Sequence, residues 1–393
     1  MTISLSQPLI SKTLLRTALG AAALALLAGC ASKSEPTNVP TPLTSFNETT
    51  TVSNVWRQNV GDGLGRARYP IEPAREGNTV FAADAQGVVM ALNATNGNRQ
   101  WRIELDTPLS SALNAIAGQL YLGTRNGEVI SIDQSDGSIN WRSRVSSEVL
   151  AAPQANPQLL IVQSVDGQVT ALDRATGQER WVYSSSQPAL TLRGTGTPMV
   201  IEPVTFVGFA NGRLATLDNR SGQPLWEQQI ATPRGRSEVE RLVDLSGQPV
   251  LSQDGRLFVT SYNGRVVALE ATQGGVLWET NLSSRHTPVL VGNALFVVTD
   301  DSQIVALDAN SGQEIWRNSA LEDRQLTAPA FVDGRLAVGD FEGYVHLIDA
   351  REGSIVGRTR VHKSGITLRP VGEGSTLHVQ ANNGRLQTLE IAP

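Results

Sequence analysis

Cysteine is almost absent from this sequence, since its 393 residues include only Cys30. A single cysteine excludes an internal disulfide and the paired-cysteine zinc motifs. Histidine is also scarce, and none of the four histidines has a second histidine or a cysteine at ligand spacing. The folded body must therefore be stabilised by packing, and the sequence predicts neither a metal site nor a bound cofactor.

Basic runs and catalytic motifs are lacking as well. The formal net charge is −5, which argues against a nucleic-acid partner. There is no Gly-x-Ser-x-Gly elbow and no phosphate-binding loop. The glycines between Gly61 and Gly65 have the wrong spacing for such a loop, so we interpret them as a turn. Five Tyr and eight Phe are scattered without a cluster, which disfavours a periplasmic ligand-binding protein without excluding one.

Long apolar runs are missing too, because the one near the start covers only Thr17 to Ala28, too short to span a bilayer. It follows Lys12 and Arg16 and ends just before Cys30. This resembles a bacterial lipoprotein signal peptide over residues 1–29, whose removal leaves Cys30 as the acylated first residue. An ordinary secretory signal is the alternative. By the same resemblance, Ala31 after the cysteine favours the outer membrane, with the body in the periplasm.

The segment after Cys30 is rich in Ser, Thr, Pro and Asn and has no apolar period. Such a composition is typical of a flexible tether. We therefore expect a lipidated tether over residues 30–50 and a folded domain over residues 51–393.

A repeat of about 40 residues fills that domain. Its pattern is Gly-x-Val-x-Ala-Leu-Asp-x-x-x-Gly-x-x-x-Trp, as from Gly87 to Trp101. The sixth copy has Ser302 in place of the first glycine, and the seventh ends on Gly357 instead of tryptophan. The chain has seven tryptophans, all in this pattern: Trp56, Trp101, Trp141, Trp181, Trp226, Trp278 and Trp316.

This period is typical of a four-stranded antiparallel propeller blade. An eighth copy begins at Gly384 and stops before its tryptophan, whereas Trp56 lacks the first half of the pattern. Pairing of the strand around Trp56 with residues 385–391 would complete both halves. The sequence thus predicts an all-β, eight-bladed β-propeller closed by its N-terminal and C-terminal strands.

The repeated residues are best interpreted as scaffold. Glycine permits a positive φ in the turn, the aspartate accepts hydrogen bonds from the turn backbone, and the indole packs between neighbouring blades. Gly357 is expected to mark a looser contact between two blades.

The repeats resemble those of the PQQ-type propeller family, which includes quinoprotein alcohol dehydrogenases. A PQQ-dependent enzyme is therefore the main alternative function. Those enzymes are longer and use adjacent cysteines beside the quinone, which this sequence lacks. A shared fold does not imply a shared site.

Two further segments are more specific. Leu190 to Gly194 matches a Leu-x-Leu-Arg-Gly loop, and Arg241 to Asp244 matches an Arg-Leu-x-Asp segment. With the lipoprotein signal and the repeats, the full chain resembles the BamB family, non-catalytic lipoproteins of the outer-membrane β-barrel assembly machinery. The resemblance implies binding to the periplasmic POTRA domains of BamA. The family has a second Asp where this chain has Ser246, so that position departs from the pattern.

Repeat lengths indicate the same region without the family. From Trp101 onward, the steps from Trp181 to Trp226 and from Trp226 to Trp278 are the longest, and the added residues fall in 184–198 and 231–250. Extra residues in repeat proteins often form the binding loops. The resemblance implies that Leu190, Leu192 and Arg193 contact BamA directly, and that Asp244 holds Arg193 or meets a cation of the partner. Arg241 belongs to the same contact, and capture of unfolded client strands at blade edges is a further possibility.

Overall fold

The structure, a computed structural model, describes residues 39–192 and 195–392, and every regular element in them is a β-strand. The strands form eight sheets of four antiparallel strands each. The predicted all-β class and the count of eight blades are confirmed. No segment of the described residues forms a helix that could cross a membrane.

The strands are numbered along the chain, and β1 (Thr51–Asn59) belongs to the last blade. Blade 1 comprises β2 (Ala74–Glu76), β3 (Thr79–Ala83), β4 (Val88–Asn93) and β5 (Arg99–Glu104); blade 2 comprises β6 (Asn114–Ile116), β7 (Gln119–Gly123), β8 (Glu128–Asp133) and β9 (Ile139–Arg144). Blade 3 comprises β10 (Gln154–Ala155), β11 (Leu159–Gln163), β12 (Gln168–Asp173) and β13 (Glu179–Ser184); blade 4 comprises β14 (Met199–Val200), β15 (Val204–Gly208), β16 (Arg213–Asp218) and β17 (Pro224–Gln229). Blade 5 comprises β18 (Val250–Leu251), β19 (Arg256–Thr260), β20 (Val266–Glu270) and β21 (Val276–Thr280); blade 6 comprises β22 (Val289–Val291), β23 (Ala294–Val298), β24 (Ile304–Asp308) and β25 (Glu314–Asn318). Blade 7 comprises β26 (Ala330–Val332), β27 (Arg335–Gly339), β28 (Tyr344–Asp349) and β29 (Ile355–Arg360); blade 8 comprises β30 (Val371–Glu373), β31 (Thr376–Gln380), β32 (Arg385–Ala392) and β1.

The core lies between the blades, around the second and third strand of each sheet. In blade 1, β3 and β4 are buried on both faces, and they are accordingly almost wholly apolar. The outermost strand β5 alternates, with Trp101 buried and its neighbours exposed. Side chains alternate across a strand, so one face of β5 packs on the next blade and the other meets solvent.

Each tryptophan donates a hydrogen bond to a turn of the next blade and packs against it. The Nε1 of Trp181 donates to the carbonyl oxygen of Asn219 at 2.8 Å. Gly222, in the same turn, has a φ of +70°, and a Cβ there would lie 2.5 Å from Cε3 of Trp181. The Asp218 carboxylate accepts two backbone N–H groups of this turn. Equivalent indole-to-carbonyl bonds are made by Trp56, Trp101, Trp141, Trp226, Trp278 and Trp316.

The ring closes through its terminal strands. β1 pairs antiparallel with β32 from Thr51 opposite Ala392 to Asn59 opposite Arg385, with an irregularity between Asn54 and Trp56. The predicted pairing is confirmed, and it leaves no blade with an incomplete sheet.

Blade 7 differs because Gly357 stands where the other blades have tryptophan. A Cβ at Gly357 would lie 3.3 Å from the carbonyl oxygen of Thr50, and the N–H groups of Thr49 and Thr50 donate to the Val356 carbonyl. The residues before β1 therefore cover this position. The expectation of a looser contact at Gly357 did not take these residues into account. The expected flexible tether over 30–50 also does not hold for residues 40–50, which are attached to the propeller.

The connections between blades all lie on one face of the ring. Each blade has four antiparallel strands, so its first strand begins and its last strand ends on the same face. We call this the loop face. The hairpin turns between the third and fourth strands, which carry the second glycine of each repeat, such as Gly222, lie on the opposite side, which we call the turn face.

Candidate partner-binding face

Two long connections flank blade 4 on the loop face. The first covers residues 185–198 between β13 and β14, and the second covers residues 230–249 between β17 and β18. A depression of about 320 Å³ lies between them. It is lined by Pro188 and Leu190 from the first connection and by Pro233, Arg241 and Leu242 from the second. The structure thus brings together the two segments that the sequence singled out.

The leucines of the first connection differ in exposure. Leu190 is 43% exposed and stands among the most exposed large apolar residues described. Leu192 is half-buried. Arg193 and Gly194 lie outside the described residues, so the expected contact of Arg193 is a prediction from the sequence alone.

The second connection presents charged groups on a locally fixed backbone. The side chain of Arg241 is 54% exposed, and its Nη1 lies 4.0 Å from Oε1 of Glu238. The Glu240 carboxylate accepts the N–H groups of Arg236 at 2.7 Å and Ser237 at 3.2 Å. These backbone donors hold the pKa of Glu240 below its ordinary value.

Blade 5 holds this connection through a residue that sequence reasoning missed. The Nδ2 of Asn263 donates to the carbonyl oxygens of Glu240 and Leu242. Asn263 has a φ of +51°, a conformation that asparagine tolerates better than most residues. The Asn263–Gly264 pair is a turn signal in the sequence, but nothing in it indicates which loop the amide contacts.

Asp244 lies beneath the surface of the face. It is only 1% exposed, its Oδ2 has no hydrogen-bond partner, and burial raises its pKa to about 7. Its backbone pairs with Tyr262, whose N–H donates to the Asp244 carbonyl at 2.8 Å. The carboxyl borders a cavity of about 10 Å³, room for one water, together with Gln163, Thr191 and Thr195. One of the two roles expected of Asp244 was direct contact with a cation of the partner. Such contact does not fit a carboxyl that is 1% exposed.

Ser246 does not line the depression that holds Leu190. It lines a cavity of about 310 Å³ at the loop-face mouth of the central channel, with Glu72, His286 and Arg369. Burial raises the pKa of Glu72 and lowers that of Arg369. The departure from the family pattern at Ser246 therefore lies at the channel mouth, away from the depression that Leu190 lines.

The described histidines do not form a cluster that could act as a catalytic or metal-binding site. Burial lowers the pKa of His286 to about 3 and that of His378 to about 4, so both are neutral near pH 7. His346 is buried on β28. In the described ranges, no three or more His, Cys, Asp or Glu residues are grouped so as to hold a metal ion.

Comparison with known proteins shows the family. A family model described as outer membrane protein assembly factor BamB matches residues 43–119, 85–318 and 300–392. BamB of Pseudomonas aeruginosa is 48% identical over 370 residues, covering 94% of this chain and 97% of that protein. BamB of Escherichia coli is 32% identical over 382 residues, covering 94% and 97%.

Solved structures agree on the fold. The crystal structure of BamB from Moraxella catarrhalis superposes with a TM-score of 0.79 at 24% identity, covering 86% of this chain and 100% of that one. A europium-containing methanol dehydrogenase gives a TM-score of 0.73 at 12% identity, covering 86% and 93%, which shows a common fold alone. The relatives cover nearly the whole chain, and the chain belongs to the BamB family of outer membrane protein assembly factors.

Proposed function

We propose that this protein is a non-catalytic scaffold of the outer-membrane β-barrel assembly complex. Its loop face docks on the periplasmic POTRA region of BamA and thereby assists the folding and insertion of outer-membrane proteins. Family membership supports the setting. The main support for the site is the depression between the two long connections beside blade 4, which combines an exposed leucine with an exposed arginine.

The depression has the chemistry of an interface centre. Leu190 gives an apolar side chain that loses its water on binding, and Arg241 gives a planar cation that can bind a carboxylate through two hydrogen bonds. The surrounding connection is held by Asn263 and Glu240, so little conformational entropy is lost when a partner binds.

Arg193 supplies the main polar contact in this proposal. It pairs with a carboxylate or a backbone carbonyl on BamA, beside the contacts of Leu190 and Leu192. This assignment rests on the match of Leu190 to Gly194 with the family loop.

Asp244 contributes to the face from its buried position beneath the first connection. A buried carboxyl with an unpartnered oxygen, next to Thr191 and Thr195, is placed to bind a donor from the first connection. We assign it to fixing the base of that connection.

The membrane link is proposed from the sequence. Acylation of Cys30 after removal of residues 1–29 anchors the protein in the outer membrane, with the propeller in the periplasm. The absence of a paired cysteine from the sequence, and the neutral buried histidines, support a scaffold over an enzyme.

A pull-down with the periplasmic region of BamA tests the site. Arg193→Glu should abolish retention of the protein while leaving its thermal transition almost unchanged. Arg220→Glu is the matched control, because Arg220 is exposed on the turn face of blade 4. Equal retention of both variants would refute the assignment of the loop face.

A further inference from the structure

Residues 40–50, which we call the strap, lie along the outer edge of blade 7. The N–H of Thr41 donates to the Glu322 carbonyl at 3.0 Å, and those of Thr49 and Thr50 donate to the Val356 carbonyl at 3.0 and 3.1 Å. Leu43 packs on the apolar cluster shared by blades 6 and 7. The strap is thus attached at both ends and along its length.

Two arginines of blade 7 and its preceding connection hold the strap backbone. Nη1 of Arg324 donates to the Thr41 carbonyl at 3.0 Å, and Nη1 of Arg358 donates to the Thr44 carbonyl at 3.0 Å. The Arg358 guanidinium also stacks over Phe46, 4.8 Å from the ring centroid. A cation over an aromatic face adds to the hydrogen bonds.

Both arginines are oriented by one buried pair, Asp340 and His346, whose side chains are fully buried. Asp340 Oδ2 accepts Nε and Nη2 of Arg324 at 2.9 and 2.8 Å and lies 2.9 Å from His346 Nε2. Nε of Arg358 donates to His346 Nδ1 at 3.1 Å, which leaves Nε2 to carry the ring proton towards Asp340. A connected set of buried polar groups fixes both arginines in the orientation that the strap requires.

This set of buried polar side chains, built around His346, is specific to blade 7. His346 occupies the strand position that Met90, Ile130 and Thr170 occupy in blades 1 to 3, and Gly357 stands where the other seven blades have tryptophan. The histidine orients Arg358, and the glycine leaves room for the Thr50 backbone. The departures from the repeat are therefore the features that receive the strap.

The direction of the strap changes the face from which the N-terminal chain leaves. β1 is the outermost strand of blade 8 and, like every outermost strand, begins on the turn face. A chain that entered β1 directly would therefore leave the ring on that face. Instead, the strap crosses the edge of blade 7 and ends beside Glu322 and Arg324, in the connection between blades 6 and 7 on the loop face.

We propose that the strap positions the membrane linker, carrying its departure point from the turn face to the face that holds the partner-binding depression. The inference rests on the acylation of Cys30 in the proposed function. Residues 31–39 then join the lipid to the strap and can span at most about 30 Å. The blade 6–7 edge of the loop face is thereby kept near the bilayer, whereas a released strap would more than double the reach and start it from the other face.

Amide hydrogen exchange on the non-acylated chain tests the attachment. The amides of Thr41, Thr49 and Thr50, which donate to propeller carbonyls, should be protected, and Arg358→Gln should speed their exchange about tenfold or more. Arg360→Gln is the matched control, because Arg360 lies on the same strand, stacks on Tyr344 and donates to the Glu342 carbonyl without touching the strap. Unprotected amides in the unaltered chain, or equal effects of the two substitutions, would overturn the attachment.

A vesicle experiment on the acylated chain tests the departure point. Cys30 is the only cysteine, so Ser319→Cys on the loop face and Arg351→Cys on the turn face each give one free thiol for a fluorophore. Energy transfer to a headgroup acceptor should be stronger from position 319 than from 351, and Arg358→Gln should remove or reverse the difference. Equal transfer from vesicle-bound protein would overturn the inference and leave the anchor intact. Failure to float with the vesicles would overturn the anchor and this role of the strap together, while the exchange result would still report the attachment.

Discussion

The Nε1 of Trp56 donates a 2.8 Å hydrogen bond to the carbonyl oxygen of Ala94, and this bond ties the last blade to the first. Trp56 is 7% exposed and packs on Gly97 of blade 1. Because this contact and the β1–β32 pairing close the ring, Trp56→Ala should lower the free energy of unfolding by about 3–5 kcal/mol. Urea denaturation measures the change, and a loss below about 1 kcal/mol would contradict the role of Trp56.

The turn glycines allow a prediction that separates backbone strain from steric overlap. Gly222 and Gly255 both have a positive φ, but a Cβ at Gly222 would overlap Trp181, whereas nothing lies within 4 Å at Gly255. Gly255→Ala should cost about 1–2 kcal/mol for the left-handed backbone alone. Gly222→Ala should cost roughly 1–3 kcal/mol more. Equal losses in denaturation would show that the indole contact is not tight.

Asp244 predicts a pH dependence of stability. Burial raises its pKa to about 7 from an ordinary value of 3.8, so the folded chain keeps a proton that the unfolded chain releases between these values. The contribution of Asp244 is therefore fully present below about pH 4 and is lost as the pH rises through 7. Relative to the wild type, Asp244→Asn should gain about 4 kcal/mol between these limits. Denaturation of both proteins across this range measures the difference, and a constant offset would contradict the raised pKa.

Leu190 should matter for binding and not for folding. Since 43% of its surface is already exposed, Leu190→Asp should leave the thermal transition unchanged and weaken binding to the periplasmic region of BamA by about 10- to 100-fold. Leu225→Asp is the matched control, because Leu225 is 58% exposed on the outer strand of blade 4. Calorimetric titration measures both affinities, and similar losses would point to a general effect of added charge.

The fold was largely predictable because its determinants repeat in the chain. The offset from glycine to tryptophan fixes the blade, and the half-copies at Trp56 and Gly384 predict the closure. The sequence also predicted the place of the candidate face, since the two repeats that end at Trp226 and Trp278 are both lengthened and are adjacent.

Contacts between distant parts of the chain were not predictable. The strap has a linker-like composition, and the arginines that hold it are 283 and 314 residues away from their partners Thr41 and Thr44. The burial of Asp244 could not be predicted from the sequence either, because an acidic residue close to Arg241 suggests a surface position. Its depth is set by packing of the first connection and Tyr262 around it.

The central claim is that the loop face beside blade 4 docks on BamA, and site-specific photo-cross-linking tests it most directly. A photoreactive residue at Leu190 should cross-link to BamA in intact cells, whereas the same residue at Leu225 should not. Cross-linking from Leu225 alone, or from neither position, would contradict the account.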